Sequence, residues 1–305
     1  MKLSILIPVY NWDFTLLYQK LLDEIDKNSL SDEVELIFAD DCSTDPMTID
    51  ANSKIVETHS REYVSFNVMK KNLGRSGIRN WLAQRSKGDF LLFLDCDVLP
   101  DKDEFINNYL EYISKNNYDV ICGGRSYKTR ILTDDVFDFY EYFGNRKEVK
   151  SAEERNCTPW RFILTSNIMI RKSAYNCTPF NEAFIGYGYE DVEWGISLSQ
   201  HYRIVHINND ASHLGLVTKK QAFDKMRESV SNYLLLKKLH PFAFEAALIS
   251  KFVHLFNILN TKTLKAIDSI LSYLFFKEWI NEWAAFVVYQ LDFAVVLSLC
   301  MKVKK

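Results

Sequence analysis

Over its first hundred residues the chain alternates short apolar runs with helical patterns, and that alternation leaves few folds open. Residues 2–7 read as a buried strand stopped by Pro8, and residues 13–28 carry Leu16, Leu17, Leu21 and Ile25 at helical spacing. Residues 34–39 read as a second strand, 49–59 as a helix, 63–69 as a third strand and 76–86 as a helix. The run Phe90-Leu91-Leu92-Phe93-Leu94 then forms a fourth strand. Strands and helices in this order imply an α/β class: a mostly parallel central sheet with helices on both faces. In such sheets ligands bind beyond the carboxyl ends of the strands. Polar clusters follow the strand ends here, at Tyr10-Asn11, Asp40-Asp41, Asn72 and Asp95-Cys96-Asp97.

The last cluster bears most directly on chemistry. Side chains alternate along a strand, so Asp95 and Asp97 can project to one side of its end. Two aligned carboxylates repel unless a cation lies near them, and a hard divalent ion with oxygen ligands is the natural partner. A lone Asp-x-Asp is better accounted for by a strand followed by a polar turn, so the rest of the chain has to decide. A net charge of -3 over 305 residues gives no general nucleic-acid surface. The six cysteines include no C-x-x-C pair, which argues against a zinc site or a disulfide framework and for reduced thiols in the cytoplasm. The N-terminal apolar run, residues 3–9, is too short for a signal peptide.

Beyond Asp97 the pattern changes. Residues 103–115 read as a helix and 118–122 as a strand followed by Gly123-Gly124-Arg125. Residues 134–144 are amphipathic, 145–155 read as a charged surface loop, and 165–170 as a strand. A stretch rich in glycine and aromatics, 181–189, leads into Glu190-Asp191-Val192-Glu193, acids that suit the start of a helix running to residue 200. Residues 202–206 read as a strand and 211–215 as a loop. From 219 onward there is no glycine and a single Pro241, which implies helices over 219–240, 241–260, 261–276 and 277–302. The last is very apolar, but Gln290 and Asp292 interrupt it and its longest clean run, 293–301, is too short to span a bilayer. Core or subunit packing is the simpler account, while the basic end Lys302-Val303-Lys304-Lys305 keeps peripheral membrane contact open. The expected division is 1–218 and a helical extension, 219–305.

Taken together, Ser4-Ile5-Leu6-Ile7-Pro8-Val9-Tyr10-Asn11, Asp40-Asp41-Cys42-Ser43-Thr44-Asp45, Asn72-Leu73-Gly74 through Arg79-Asn80, and Asp95-Cys96-Asp97 resemble the ordered motifs of family-2 type nucleotide-sugar glycosyltransferases. Those enzymes have the Rossmann-like GT-A fold, and the resemblance covers about residues 1–215. The segment from Phe180 to Asp191 resembles the "FxExFxGWGxED" block of galactosyl- and N-acetylgalactosaminyl-transferring enzymes, including the chondroitin-polymerase type, with Tyr187 where that block often has tryptophan.

The resemblance implies a nucleotide-binding half, 1–100, and an acceptor-binding half, 101–218. It implies an inverting hexosyltransferase that uses a UDP-sugar donor, manganese or magnesium, and a glycan or lipid-linked glycan acceptor in surface polysaccharide or lipopolysaccharide synthesis. Asp97, Asp95 and His213 would hold the metal, and a nitrogen ligand beside carboxylates favours manganese. Asp191 would be the base that takes the acceptor proton, with Glu190 binding a sugar. Pro8 and Tyr10 would line the base pocket, with Asp40 contacting uracil and Asp41 as its neighbour there. Arg79 would reach the diphosphate and Asn72 would belong to the same donor site; Gly123, Gly124 and Arg125 would cradle the donor sugar, and Tyr187 would stack against the acceptor sugar. The C-terminal helices would serve peripheral membrane contact or a homo-oligomer. Two rivals differ in kind. A sugar nucleotidyltransferase would need a basic, glycine-rich loop after the first strand, which Pro8-Val9-Tyr10-Asn11 is not. A non-catalytic carbohydrate-binding scaffold would not need both the metal acids and Glu190-Asp191.

Overall fold

The computed structural model describes residues 2–115 and 118–303, so Lys304 and Lys305 of the basic end lie outside the described residues. The chain forms two compact units. The first comprises 1–131, 147–183 and 190–215; the second comprises 132–146, 184–189 and 216–305. The sequence places the border at 218/219, whereas the helical unit also takes up the two internal segments.

Among the described residues ten strands form in chain order: β1 (Leu3–Val9), β2 (Val34–Asp40), β3 (Val64–Val68), β4 (Phe90–Leu94), β5 (Val98–Pro100), β6 (Val120–Cys122), β7 (Arg125–Ser126), β8 (Asn167–Arg171), β9 (Ile204–His206) and β10 (Ala211–His213). The helices of the sheet unit are α1 (Thr15–Lys27), α2 (Pro46–Thr58), α3 (Gly74–Arg85) and α4 (Phe105–Lys115). After α5 (Asp138–Lys147) come α6 (Ala152–Asn156), α7 (Lys172–Cys177) and α8 (Glu190–Ser199). The helical unit continues with α9 (Lys219–Glu228), α10 (Val230–Leu239), α11 (Pro241–Ala246), α12 (Leu248–Phe256), α13 (Thr261–Phe275) and α14 (Glu282–Val303).

The main sheet has the order β3-β2-β1-β4-β8-β6-β9. β1 pairs in parallel with β2 on one side and β4 on the other, with Leu3 opposite both Val34 and Phe90. β8 then runs antiparallel to β4 and to β6. Central strands buried on both faces need near-continuous apolar runs, and β1 meets that demand: Leu3, Ile5, Leu6 and Ile7 are fully buried. Leu3, Ile5 and Ile7 join Phe14, Leu17, Tyr18 and Leu21 on one face of the sheet. Leu6, Leu91 and Phe93 join Ile78, Leu82 and Trp194 on the other. Pro8 lies past Leu6, the last β1 residue paired with β4, so its missing N–H interrupts no bond of that ladder.

Several stretches differ from the sequence reading. Residues 211–213, read as part of a loop, form β10, the middle strand of a three-stranded sheet ordered β5-β10-β7. Ala-Ser-His is too short and too polar to register as a strand, and tertiary pairing on both edges makes it one. Residues 145–155, read as a charged surface loop, include the end of α5 and all of α6. Ser151 and Glu154 form a capping box there, a Ser-x-x-Glu signal that charge density obscured. Arg155 is 1% exposed, its Nη2 donating to the carbonyls of Gly123 at 3.2 Å and Ile207 at 2.8 Å. The helices expected over 219–240 and 241–260 each break in two, at Ser229 and Ala247.

Within the helical unit, α14 is long and apolar enough to cross a membrane by length and composition. It packs against α9, α10, α12 and α13. Its Asp292 is fully buried and accepts from Arg227 Nη2 at 2.9 and 3.0 Å; the same nitrogen donates to Asp268 and Ser272. Burial pushes the Asp292 carboxyl up to about 7 against the pull of Arg227. A raised carboxyl contributes stability that is fully present below its unfolded value of 3.8 and is lost as pH rises through about 7. Arg227→Met should therefore lower unfolding stability by about 3 kcal/mol at pH 8, where Asp292 is left charged and unpaired. The loss should shrink at pH 5, where Asp292 holds its proton. Urea unfolding at the two pH values measures both numbers.

Candidate active site

The loops after β1 and β2 are fastened by Asn11. Its Oδ1 accepts from the amides of Thr44 at 2.8 Å and Asp45 at 3.1 Å, and its own amide donates to Ser43 Oγ at 2.8 Å. Asn11 sits at φ 48°, a left-handed conformation that asparagine tolerates better than most residues. Tyr10 beside it is half exposed, at 49%. Asp40 is fully buried and accepts from the amide and hydroxyl of Ser43 at 2.7 and 2.6 Å. Asp41 accepts from the amides of Leu73 at 2.6 Å and Gly74 at 2.9 Å, and Asn72 Nδ2 donates back to the Asp41 carbonyl at 2.8 Å. Asp41 and Asn72 thus hold the entry to α3 against the end of β2.

From α3, Arg79 reaches the end of β4. It is 2% exposed, and its Nη2 donates to Asp95 Oδ1 at 2.6 Å. Sequence assigns Arg79 to a diphosphate; the structure pairs its guanidinium with Asp95. The next residue, Asn80, accepts from Tyr175 Oη at 2.5 Å and donates to the Phe180 carbonyl and Glu182 Oε1, tying α3 to the stretch that leads toward Glu190.

Asp97 meets His213 because β10 runs antiparallel to β5 with His213 opposite Val98. Asp97 Oδ2 lies 3.3 Å from His213 Nε2. Burial alone would raise the Asp97 carboxyl, but His213, then Arg125 and Arg75, outweigh it and hold it below the usual carboxylate range. Gly215 is what lets this carboxylate sit there: a Cβ at Gly215 would lie 2.2 Å from Asp97 Oδ2. Sequence reading missed Gly215, although its place two residues after His213 was the available signal. It also missed Glu148, which accepts from Arg125 Nη1 and Tyr127 Oη, both at 2.8 Å. Burial would raise Glu148, and Arg125 and His213 hold it below its ordinary value instead. The Tyr127 ring meets the His213 ring edge-on at 5.8 Å.

Gly123 and Gly124, expected to cradle a sugar, are required by the protein's own groups. A Cβ at Gly123 would meet Tyr109 Oη at 2.3 Å, and one at Gly124, where φ is +102°, would meet Arg155 Nη1 at 2.1 Å. Arg125, which follows them, bridges Glu148 and Ser166 Oγ, the latter at 2.8 Å.

Glu190 and Asp191 open α8 directly after three residues with left-handed φ, Gly186, Gly188 and Tyr189. Glu190 lies 3.6 Å from Arg75 Nη1. Asp191 Oδ1 accepts from the amide of Val192 at 2.8 Å. Burial, reinforced by the charge of Glu190, pushes the Asp191 carboxyl up to about 7, against Arg125 and Arg79. A carboxyl poised there can take up a proton near neutral pH, which an ordinary aspartate cannot. Tyr187 belongs to the helical unit, where its ring faces Lys225 Nζ at 5.2 Å and its carbonyl accepts from Asn232.

Asp95, Asp97 and His213 are not gathered as a three-ligand set. Among the described residues no group of three or more His, Cys, Asp or Glu side chains could hold an ion by itself, and Asp95 is engaged by Arg79. The Asp97–His213 pair does fit a divalent ion that takes its other ligands from phosphate oxygens, as magnesium sites commonly do. One carboxylate and one imidazole also suit manganese.

The mostly parallel sheet thus carries the Asp97–His213 pair past one strand end and a raised carboxyl at the start of α8. Residues 4–178 match the family described as Glycosyl transferase family 2, and the chain belongs to that family. It is similar to an uncharacterized glycosyltransferase YfnE of Bacillus subtilis (strain 168), 25% identical over 253 residues, 66% of this chain and 61% of that protein. An uncharacterized glycosyltransferase of Haemophilus influenzae is 31% identical over 118 residues, 38% of this chain and 37% of that protein. The chain thus spans less than two thirds of either relative. Among solved structures, the fold matches the mannosyltransferase PcManGT from Pyrobaculum calidifontis in complex with GDP-Man and Mn2+. The TM-score is 0.60 at 13% identity, over 99% of this chain and 86% of that one. It also matches S. aureus TarS at TM-score 0.54 and 20% identity, over 77% of this chain and 40% of that one.

Gly215→Ala should displace the Asp97 carboxylate while leaving the fold standing. Glycosyl transfer should fall roughly 10- to 100-fold, as expected for a misplacement of about 1 Å, with the thermal midpoint moving by only a few degrees in the same preparation.

Proposed function

We propose that the chain is a metal-dependent, inverting transferase that moves a hexose or N-acetylhexosamine from a UDP-sugar to a hydroxyl of a glycan acceptor. The observation that carries this reading is the placement and opposite tuning of two carboxyls within the field of Arg125: Asp97, 3.3 Å from His213 Nε2, is held below the usual carboxylate range, and Asp191, at the start of α8, is raised to about 7. Carboxyls pushed apart in this way are the usual mark of one electrostatic and one acid–base role. Structural neighbours support the donor class: TarS was solved with UDP and with UDP-GlcNAc, at TM-scores of 0.50, and PcManGT with GDP-Man and Mn2+. The resemblance of residues 180–191 to galactosyl- and N-acetylgalactosaminyl-transferring enzymes supports a hexose or hexosamine, and a surface polysaccharide or lipopolysaccharide is the acceptor consistent with it.

In this reading Asp97 and His213 hold a manganese or magnesium ion. When bound, such an ion neutralises charge developing on the departing nucleoside diphosphate. Arg79 fixes Asp95, leaving that carboxylate to meet the ribose or a metal-bound water. Asp40 contacts the uracil, with Pro8 and Tyr10 beside it, and Asp41 and Asn72 keep the neighbouring loop in shape. Arg125 draws the donor sugar between Asp97 and Asp191 and stabilises negative charge on either side. Asp191 accepts the proton of the acceptor hydroxyl as that oxygen attacks the anomeric carbon, and Glu190, oriented by Arg75, binds a sugar hydroxyl. A single base on the face opposite the leaving group requires inversion.

Asp191→Asn should abolish transfer and preserve UDP binding with manganese by calorimetry; loss of both would remove Asp191 from the chemistry. With the wild-type chain kcat/KM should rise with pH through about 7, as Asp191 releases its proton. An α-linked donor should give a β-linked product by proton NMR coupling. Chelation should stop transfer, and a panel of UDP-sugars with manganese restored, scored by released UDP, identifies the donor.

A further inference from the structure

The helical unit exposes an apolar stripe that its own packing does not use. On α12, Leu248 is 66% and Leu255 59% exposed, and Ile258 just beyond is 81% exposed. Positions 248, 251, 255 and 258 recur at helical spacing and share one face. The other face is committed: Ser250 and Val253 are buried, and Ser298 Oγ of α14 donates to the Val253 carbonyl at 3.4 Å. Phe242 of α11, 54% exposed, adds an aromatic ring to the exposed apolar surface of this region. Burying that outer face would release several large apolar groups from water, so something of matching chemistry is expected to cover it.

Charge decides what. The stripe carries exposed Lys251 in its middle, and Lys302 Nζ donates to the Asn257 carbonyl at 2.9 Å, at the helix end. Residues 216–305 contain thirteen Lys and Arg against seven Asp and Glu, a formal +6, in a chain whose total is -3. Protein interfaces are depleted in lysine, and two copies meeting on this face would set like charges against each other. An apolar stripe interleaved and flanked by lysines is instead the pattern of a helix lying in the headgroup region of an anionic bilayer, with lysine stems along the apolar surface and ammonium groups among phosphates. We infer that the Leu248–Lys251–Leu255–Ile258 face of α12 docks this chain on an anionic membrane surface. The docking is peripheral: it uses no spanning segment and leaves α14 in its packed place.

The test uses the full chain and sedimentation with vesicles, of phosphatidylcholine alone or with an equal share of phosphatidylglycerol. Binding should appear with the anionic vesicles and weaken as salt rises. Leu248→Ser/Leu255→Ser/Ile258→Ser should lower the bound-to-free ratio at least tenfold. Lys251→Glu, which exchanges one charge for its opposite, should lower it by roughly tenfold or more, since each lysine near such a surface contributes about fivefold. Neither change touches a buried side chain, so melting curves should overlay the wild type. No wild-type binding to anionic vesicles, or binding indifferent to both variants, overturns the proposal. So does a dimer in analytical ultracentrifugation that the triple variant dissociates, which would give the face to a second copy.

Discussion

Parallel pairing of β1 with both β2 and β4 fixes where the chemistry can occur. Because the three strands run together in register, Val9, Asp40 and Leu94 reach the same end of the sheet, and each is followed by a polar loop. The loops are then set by short bonds between them: Asn11 to Thr44 and Asp45, Asp41 to Leu73 and Gly74, Arg79 to Asp95. Such a rim is preorganised, since the groups that would have to reorient around a ligand already have partners. The second small sheet adds what the main sheet cannot, by bringing His213 from far along the chain to Asp97.

The electrostatic character of the site follows from unequal surroundings. Asp97 and Asp191 are both partly buried, and desolvation raises a carboxyl wherever it occurs. Asp97 has His213 against it and Arg125 and Arg75 near it, so its charged form is favoured. Asp191 has Glu190 as its neighbour, and burial together with that charge outweighs Arg125 and Arg79, so its neutral form is favoured. The same residue type is thereby given two proton affinities by neighbours alone. Glu148 extends this arrangement by engaging Arg125 and Tyr127 next to His213.

What the sequence disclosed were the features with local signatures. Strand runs such as residues 90–94 and the helix-starting acids Glu190 and Asp191 are legible because period and composition act over a few residues. Features made by distant contacts were not. β10 becomes a strand only because β5 and β7 flank it, and Arg155 looked like a solvated charge because the carbonyls of Gly123 and Ile207 that receive it are far away in sequence. At Gly124, expected to cradle a sugar, the group that would meet a Cβ is Arg155. Arg79 was read as a phosphate contact for the same reason: one sequence cannot show that Asp95 lies within reach of its guanidinium.

The division of the chain has a consequence for how such a protein can change. The helical unit is assembled from three separate stretches, and the backbone passes between the units five times. Phe139 meets Phe275 at 4.9 Å, and Phe143 meets Tyr289 at 5.5 Å and Phe286 at 6.0 Å, so an internal excursion supplies part of the core that the terminal helices complete. The helices after residue 215 are therefore no detachable appendix. A single crossover in the gene could not exchange them for those of a relative without leaving these rings to face a foreign surface. Novelty in the helical unit is expected to arise by substitution on its outer faces, while its inner residues change in concert with 132–146.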